Sequence, residues 1–365
     1  MAEKTHILWL TIVVAFLLIA GCIGEGEDPP LIEYEVIEIG PGGDLNVPGA
    51  RFLSERPTGI NEQEQVSGMY YPGDTGPTEP RAFYWSEDDG FHRIDPFTTG
   101  EGEVSVGFAI DQDGAVYGYA DDAATGHHVQ PFRWSLESGL HNSGKPSDAH
   151  SARVLAVNDV GETAGECTME VGIETMCNFI DSQWETFDAL GARGLAINSD
   201  GVVVGRTTVR IDDIDYVRPA IWNRDGGLRD LGDPFNDPTS EGVALDINDH
   251  NQIVGYSDPA DGPPAPFFWE DGELELLPTL DELGAGAFAI NNENVIAGRM
   301  QFRAAIWTAE REIIDLNTRI DPESGWQLTS ALDINNNGAI VGLGERGGET
   351  YSVLIRPLPD DEDDE

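Results

Sequence analysis

At 365 residues, with 40% hydrophobic and 8% aromatic content, the chain can bury a substantial core in one large domain or two small ones. Its 67 acidic and 20 basic residues give a formal net charge of -47, a field that repels nucleic acid and anionic headgroups and argues against both as partners. Lysine appears only as Lys4 and Lys145, which points beyond an ordinary acidic surface to adaptation to high salt, where carboxylates stay hydrated and their repulsion is screened.

The first element is an apolar run from Ile7 to Ala20, interrupted only by Thr11 and preceded by Lys4. It is short for a bilayer-spanning helix, which needs about 20 residues, and suits a signal-peptide core; residues 1–21 are therefore expected to be removed on export. The junction Leu18-Ile19-Ala20-Gly21-Cys22 resembles the lipobox of bacterial and archaeal lipoproteins. That resemblance implies that Cys22 is lipidated and becomes the mature N-terminus; an uncleaved anchor is the less favoured alternative. Residues 22–31, with Gly24, Gly26, Pro29 and Pro30, read as a tether.

A strand-like segment, IEYEVIEIG from Ile32 to Gly40, precedes a series of repeats. The pattern GINEQEQVSG at Gly59 recurs as AIDQDGAVYG at Ala109, AVNDVGETAG at Ala156, AINSDGVVVG at Ala196, DINDHNQIVG at Asp246, AINNENVIAG at Ala289 and DINNNGAIVG at Asp333. Spacings of 40 to 50 residues suit one four-stranded propeller blade per repeat. Within a repeat the first piece is rich in small residues, as in GARGLAIN from Gly191, and fits a crowded innermost strand. The second is aliphatic and ends in Gly. The third is aromatic, as in RAFYW from Arg81 and APFFW from Ala265, and fills the wide outer space between blades. A turn leads to a fourth, such as GLRDLG from Gly227. The last repeat stops after its third strand, YSVLIRP, while one surplus strand stands at the N-terminus. The expectation is an all-β, seven-bladed propeller over residues 32–358, closed by the N-terminal strand completing the last blade, with an acidic tail at 359–365.

The alternation of AxxINxxGxVVG with [H/R]AFxW resembles the HAF repeat of extracellular proteins, over Ser54 to Pro357. Arg81, Arg218 and Arg303 stand where that family's name has histidine, and the third repeat, CNFID, lacks the tryptophan. The resemblance implies the fold and no activity.

Export makes a disulfide the default fate of Cys167 and Cys177, between the second and third strands of the third blade. Asp333, Asn335 and Asn337, followed by Gly338, begin like a calcium loop, but a helix-flanked loop needs Glu at its twelfth position, where Gly344 stands. A hairpin turn is the favoured reading, these three residues being the only metal candidates and calcium the only cofactor considered. No nucleophile elbow, zinc-protease or phosphate-loop motif is present. The long second-to-third connections, such as Met69–Pro80 and Arg206–Val217, are the variable parts. They suggest ligand contacts from Tyr71, Tyr119, His128, Tyr216 and Tyr256, aromatic faces with polar tips on a rigid support. The sequence thus points to a monomeric, lipid-anchored surface propeller that binds a glycan, protein or envelope component. A propeller-type lyase or glycosidase with acidic residues at the funnel is one alternative, and a purely structural surface protein the other.

Overall fold

Alternating small and aliphatic residues, cut every few positions by Gly or Asn, favour short strands joined by tight turns. The chain folds accordingly. The computed structural model describes residues 34–40 and 59–359, apart from 72–78, 99–101, 126–127, 170–171, 188, 190, 236 and 281–283. The signal segment, Cys22, the tether and residues 360–365 lie outside the described residues.

Seven antiparallel sheets, all but the last an up-and-down meander of consecutive strands, form a seven-bladed β-propeller. Blade 4 is representative, with strands Arg193–Ile197, Val203–Ile211, Ile214–Asn223 and Gly227–Asp230 from axis to rim. Blade 1 has the three strands Val66–Tyr70, Arg81–Ser86 and Gly90–Ile94, its inner strand reduced to a bridge between Ile60 and Val66. Blade 7 is completed from the N-terminus: Tyr34–Ile39 pairs antiparallel with Glu349–Pro357, from Tyr34 opposite Pro357 to Ile39 opposite Ser352. Arg356 ties this closure with bonds to Glu35 on the terminal strand and to Glu64 and Glu87 on blade 1. Among the described residues no helix is long and apolar enough to cross a membrane.

The core lies between blades. Phe83, Trp85 and Val66 of blade 1 pack on Val341 and Leu354 of blade 7, and comparable clusters fill most other seams. The seam between blades 2 and 3 is the poorest, holding Ala115, Tyr117, Val154 and Val157. The motif arginines have a structural use. Arg81 and Arg303 begin the third strand and Arg218 lies within it, and each reaches the end of the fourth, as in Arg81–Asp95 (3.7 Å), Arg218–Asp230 (3.5 Å) and Arg303–Asp315 (3.2 Å). Cys167 and Cys177 are joined across the second and third strands of blade 3, with Cα atoms 5.8 Å apart. The connection 206–217, expected to be a loop, is strand instead: Val203–Ile211 and Ile214–Asn223 pair to their tips. The reversal needs only Asp212 and Asp213, both at positive φ (51° and 64°), the geometry of a primed two-residue turn.

Candidate functional site

Each inner strand from blade 2 to blade 7 carries a register break next to one bulky residue: Phe108, Leu155, Leu195, Leu245, Phe288 and Leu332. A bulge adds an unpaired residue and re-aims its side chain. The glycine ending each second piece is the counterpart of that bulge. A Cβ on Gly118, Gly165, Gly205 or Gly255 would run into the carbonyl oxygen of Val106, Arg153, Arg193 or Val243 on the inner strand. The repeat's Gly is thus required by the bulge rather than by the turn.

Beyond the bulge the inner strands converge on an axial cavity of about 240 Å³. Its floor includes Phe108, Leu155, Leu195, Leu245 and Phe288, and its rim the first-to-second turns. The wall is small at most blades (Gly59, Ala109, Ala156, Ala196, Ala289) and acidic at two, Asp246 of blade 5 and Asp333 of blade 7. Each carboxylate accepts a main-chain N–H from the next blade: Asp246 from Ile290 (2.7 Å) and Asp333 from Ile60 (2.9 Å), with Asp333 also accepting from Ile334 (2.9 Å). The free edge of an inner strand faces the axis. Since Asp111 N–H donates to Ala115 in the hairpin, strand alternation turns the N–H of Ile110 toward the cavity, and likewise Val157 and Ile197. Where Ala or Gly replaces Asp, no carboxylate caps those donors.

Burial raises Asp246 to about 7, against the opposing effect of the N–H groups of Ile290 and Ile247. Burial also raises Asp333 well above the usual carboxylate range, and the charge of Asp246 adds to it. The two groups feel each other across blade 6, so the second to ionise does so against the first.

The rim is held by the repeated turns. Asn335 Oδ1 accepts the N–H of Asn337 (3.1 Å) and Ala339 (2.9 Å), while its Nδ2 donates to the carbonyl of Asn61 (3.0 Å). Asn158, Asn198, Asn248 and Asn291 likewise donate to the next blade's carbonyl, and Asn61 donates to Asp111. The Asp111 side chain has no N–H to pass on to Asn158. The fourth turn residue has positive φ and is Gly114, Gly161, Gly201 or Gly338, elsewhere Glu64, Asn251 or Asn294.

The metal candidates therefore do different work. Asn335 is spent on the turn and the neighbouring blade, Asn337 donates to the Glu62 carbonyl (3.2 Å), and Asp333 faces the axis. Among the described residues no group of three His, Cys, Asp or Glu could hold a metal ion. Of the aromatic candidates, Tyr119, Tyr216 and Tyr256 sit on strands rather than loops, Tyr71 directly follows a strand, and His128 begins one, its side chain outside the described residues. They are spread over blades 1, 2, 4 and 5, and the axial cavity opens on the face opposite to the one their loops suggested. Asp246 escaped the sequence reading. The signal was there: only repeats five and seven put Asp where the others have Ala or Gly.

No family model matches the chain, and no curated protein matches its sequence. Solved structures do. The β-propeller domain of the Trilobed protease from Pyrococcus furiosus is 14% identical, with a TM-score of 0.54 over 87% of this chain and 98% of that one. A puromycin-hydrolyzing peptidase from Mycobacterium tuberculosis (11% identity, TM-score 0.55) is matched over 90% of this chain and 55% of its own. The extracellular domain of a candidate one-component system from B. thetaiotaomicron (10%, 0.50) is matched over 90% and 40%. At these identities the likeness is one of fold. The first is described as an open velcro topology, whereas here the N-terminal strand closes the ring.

Proposed function

We propose that this is an exported surface protein, tethered to the membrane through a lipid on Cys22 and belonging with the HAF-repeat proteins, whose propeller binds the terminal unit of a glycan in the axial cavity. The observation that carries the binding reading is the wall of that cavity. Two carboxyl groups held toward the protonated form can both donate and accept, and main-chain N–H groups line the other side, a set suited to hydroxyls rather than to a cation. At about 240 Å³ the space is below the roughly 300 Å³ at which drug-sized pockets begin and suits one sugar ring.

A glycan array followed by titration of the best binder tests this. Asp333→Asn is expected to weaken binding at least tenfold without lowering the melting temperature, and failure of any neutral glycan to bind overturns the reading. Labelled fatty acid incorporated into the full chain and lost in Cys22→Ser tests the anchor. The coupling of Asp246 and Asp333 favours a second reading, a glycosidase or lyase using one as acid and the other as base. Turnover of the bound glycan, abolished in Asp246→Asn, would replace binding with catalysis.

A further inference from the structure

On the far side of the bulge ring several arginines lie close together. The four inner strands of blades 3 and 4 (Ala149–Val157, Thr163–Met169, Arg193–Ile197 and Val203–Ile211) carry Arg153, Arg193, Arg206 and Arg210 and a single acid, Glu166. The whole chain, by contrast, has 67 acids to 20 cations. Arg153 and Arg193 each lie two residues before a floor residue, Leu155 or Leu195, which at about 3.3 Å per residue puts them some 7 Å beyond the floor, toward the opposite mouth.

The cluster is ordered by contacts that leave cationic surface exposed. Glu166, whose side chain is 6% exposed, binds Arg153 (2.8 Å) and Arg193 across the seam between blades 3 and 4, and Arg193 also reaches Glu174 (3.3 Å). The two arginine side chains remain 30% and 27% exposed. Arg206 is the ladder partner of Arg193, so two guanidinium groups share one face of blade 4. Beside them Tyr119 of blade 2 lies 5.1 Å under the Arg153 guanidinium and 5.8 Å from Phe108, giving an apolar ring face next to the cations.

We propose that this second mouth is a separate site for an acidic sugar, with Arg153, Arg193 and Arg206 taking its carboxylate and Tyr119 with Phe108 stacking on its ring. Guanidinium forks match a carboxylate in two parallel bonds, and aromatic faces suit the C–H face of a pyranose. The net charge of -47 keeps long polyanions away, so the ligand carries one or two carboxylates.

Isothermal titration of the full chain with glucuronate and its disaccharide, and with glucose as the neutral control, tests this. Binding of the uronates and not of glucose is expected. Arg206→Gln, which leaves both Glu166 ion pairs intact, should weaken it about tenfold. Glu166→Gln should tighten it several-fold, because it frees Arg153 and Arg193 for the ligand, a gain that a purely structural role for the cluster does not produce. Absence of uronate binding, or indifference of its affinity to both substitutions, overturns the proposal. Equal affinity for triglutamate overturns the sugar assignment. Uronate binding retained in Asp246→Asn separates this site from the axial cavity, and its loss there overturns the idea of a second site.

Discussion

Asp111 stands where the other six turns carry asparagine, and the difference of one N–H group leaves the carbonyl of Asn158 without the amide donor that every other seam has. Its Oδ1 already accepts from Asp113 and Ala115, as the asparagines do in their own turns. Asp111→Asn is therefore expected to keep the turn, add the seventh inter-blade bond and stabilise by about 1 kcal/mol, visible as a melting point a few degrees higher. An unchanged or lower midpoint would show that the bond from Tyr117 to Asp111 Oδ2 matters more. Asp246 argues in the other direction. With its folded pKa raised to about 7, the folded state holds a proton that the unfolded chain has released. Its stabilising effect is complete below the unfolded value near 4 and is lost, at up to about 1.4 kcal/mol per pH unit, as pH rises toward 7. Asp246→Asn should thus melt higher than the parent at pH 8, with the gap closing by pH 4. A gap independent of pH would mean that Asp246 does not titrate in this range.

Among elements, the repeats were legible because their signal is geometric: small residues where blades converge, aromatic ones where they diverge, and a surplus strand at one end matching a deficit at the other. The bulge was not legible, since an extra residue in a strand leaves no mark except the recurring Gly opposite it, which reads equally well as a turn. The tightness of the 206–217 hairpin was missed for a similar reason. Asp212-Asp213 is a poor turn signal beside Asn-Gly, and Asp at positive φ is tolerated rather than preferred. The structure also ranks the seams. Between blades 2 and 3 the amide link is missing, the apolar cluster is the smallest of the inter-blade clusters, and blade 3 has Phe179 where most blades place tryptophan. Hydrogen exchange should find the inner strands Ser105–Ile110 and Ala149–Val157 the first to open, ahead of those of blades 5 and 6. Uniform protection around the ring would sink that ranking.

For the whole molecule the question is which of two opposed electrostatic effects dominates. Salt weakens the ion pairs that close the ring, those of Arg356 with Glu35, Glu64 and Glu87, but such partly exposed pairs are worth about 0–1 kcal/mol each. Against them stands the mutual repulsion of a chain of formal charge -47, which acts over a Debye length of about 30 Å at 0.01 M salt and about 3 Å at 1 M. Summed over so many carboxylates, repulsion outweighs the three pairs. The melting temperature is therefore expected to rise from dilute buffer to molar sodium chloride. Removing the terminal strand, Tyr34–Ile39, should turn this gain into a loss: Glu349–Pro357 then becomes an unpaired edge, and salt that screens the repulsion between molecules lets such edges pair. Light scattering should show the truncated chain aggregating as salt increases while the intact chain stays dispersed. A truncated chain that remained dispersed at molar salt, with the melting behaviour of the parent, would show that the ring does not depend on its N-terminal strand.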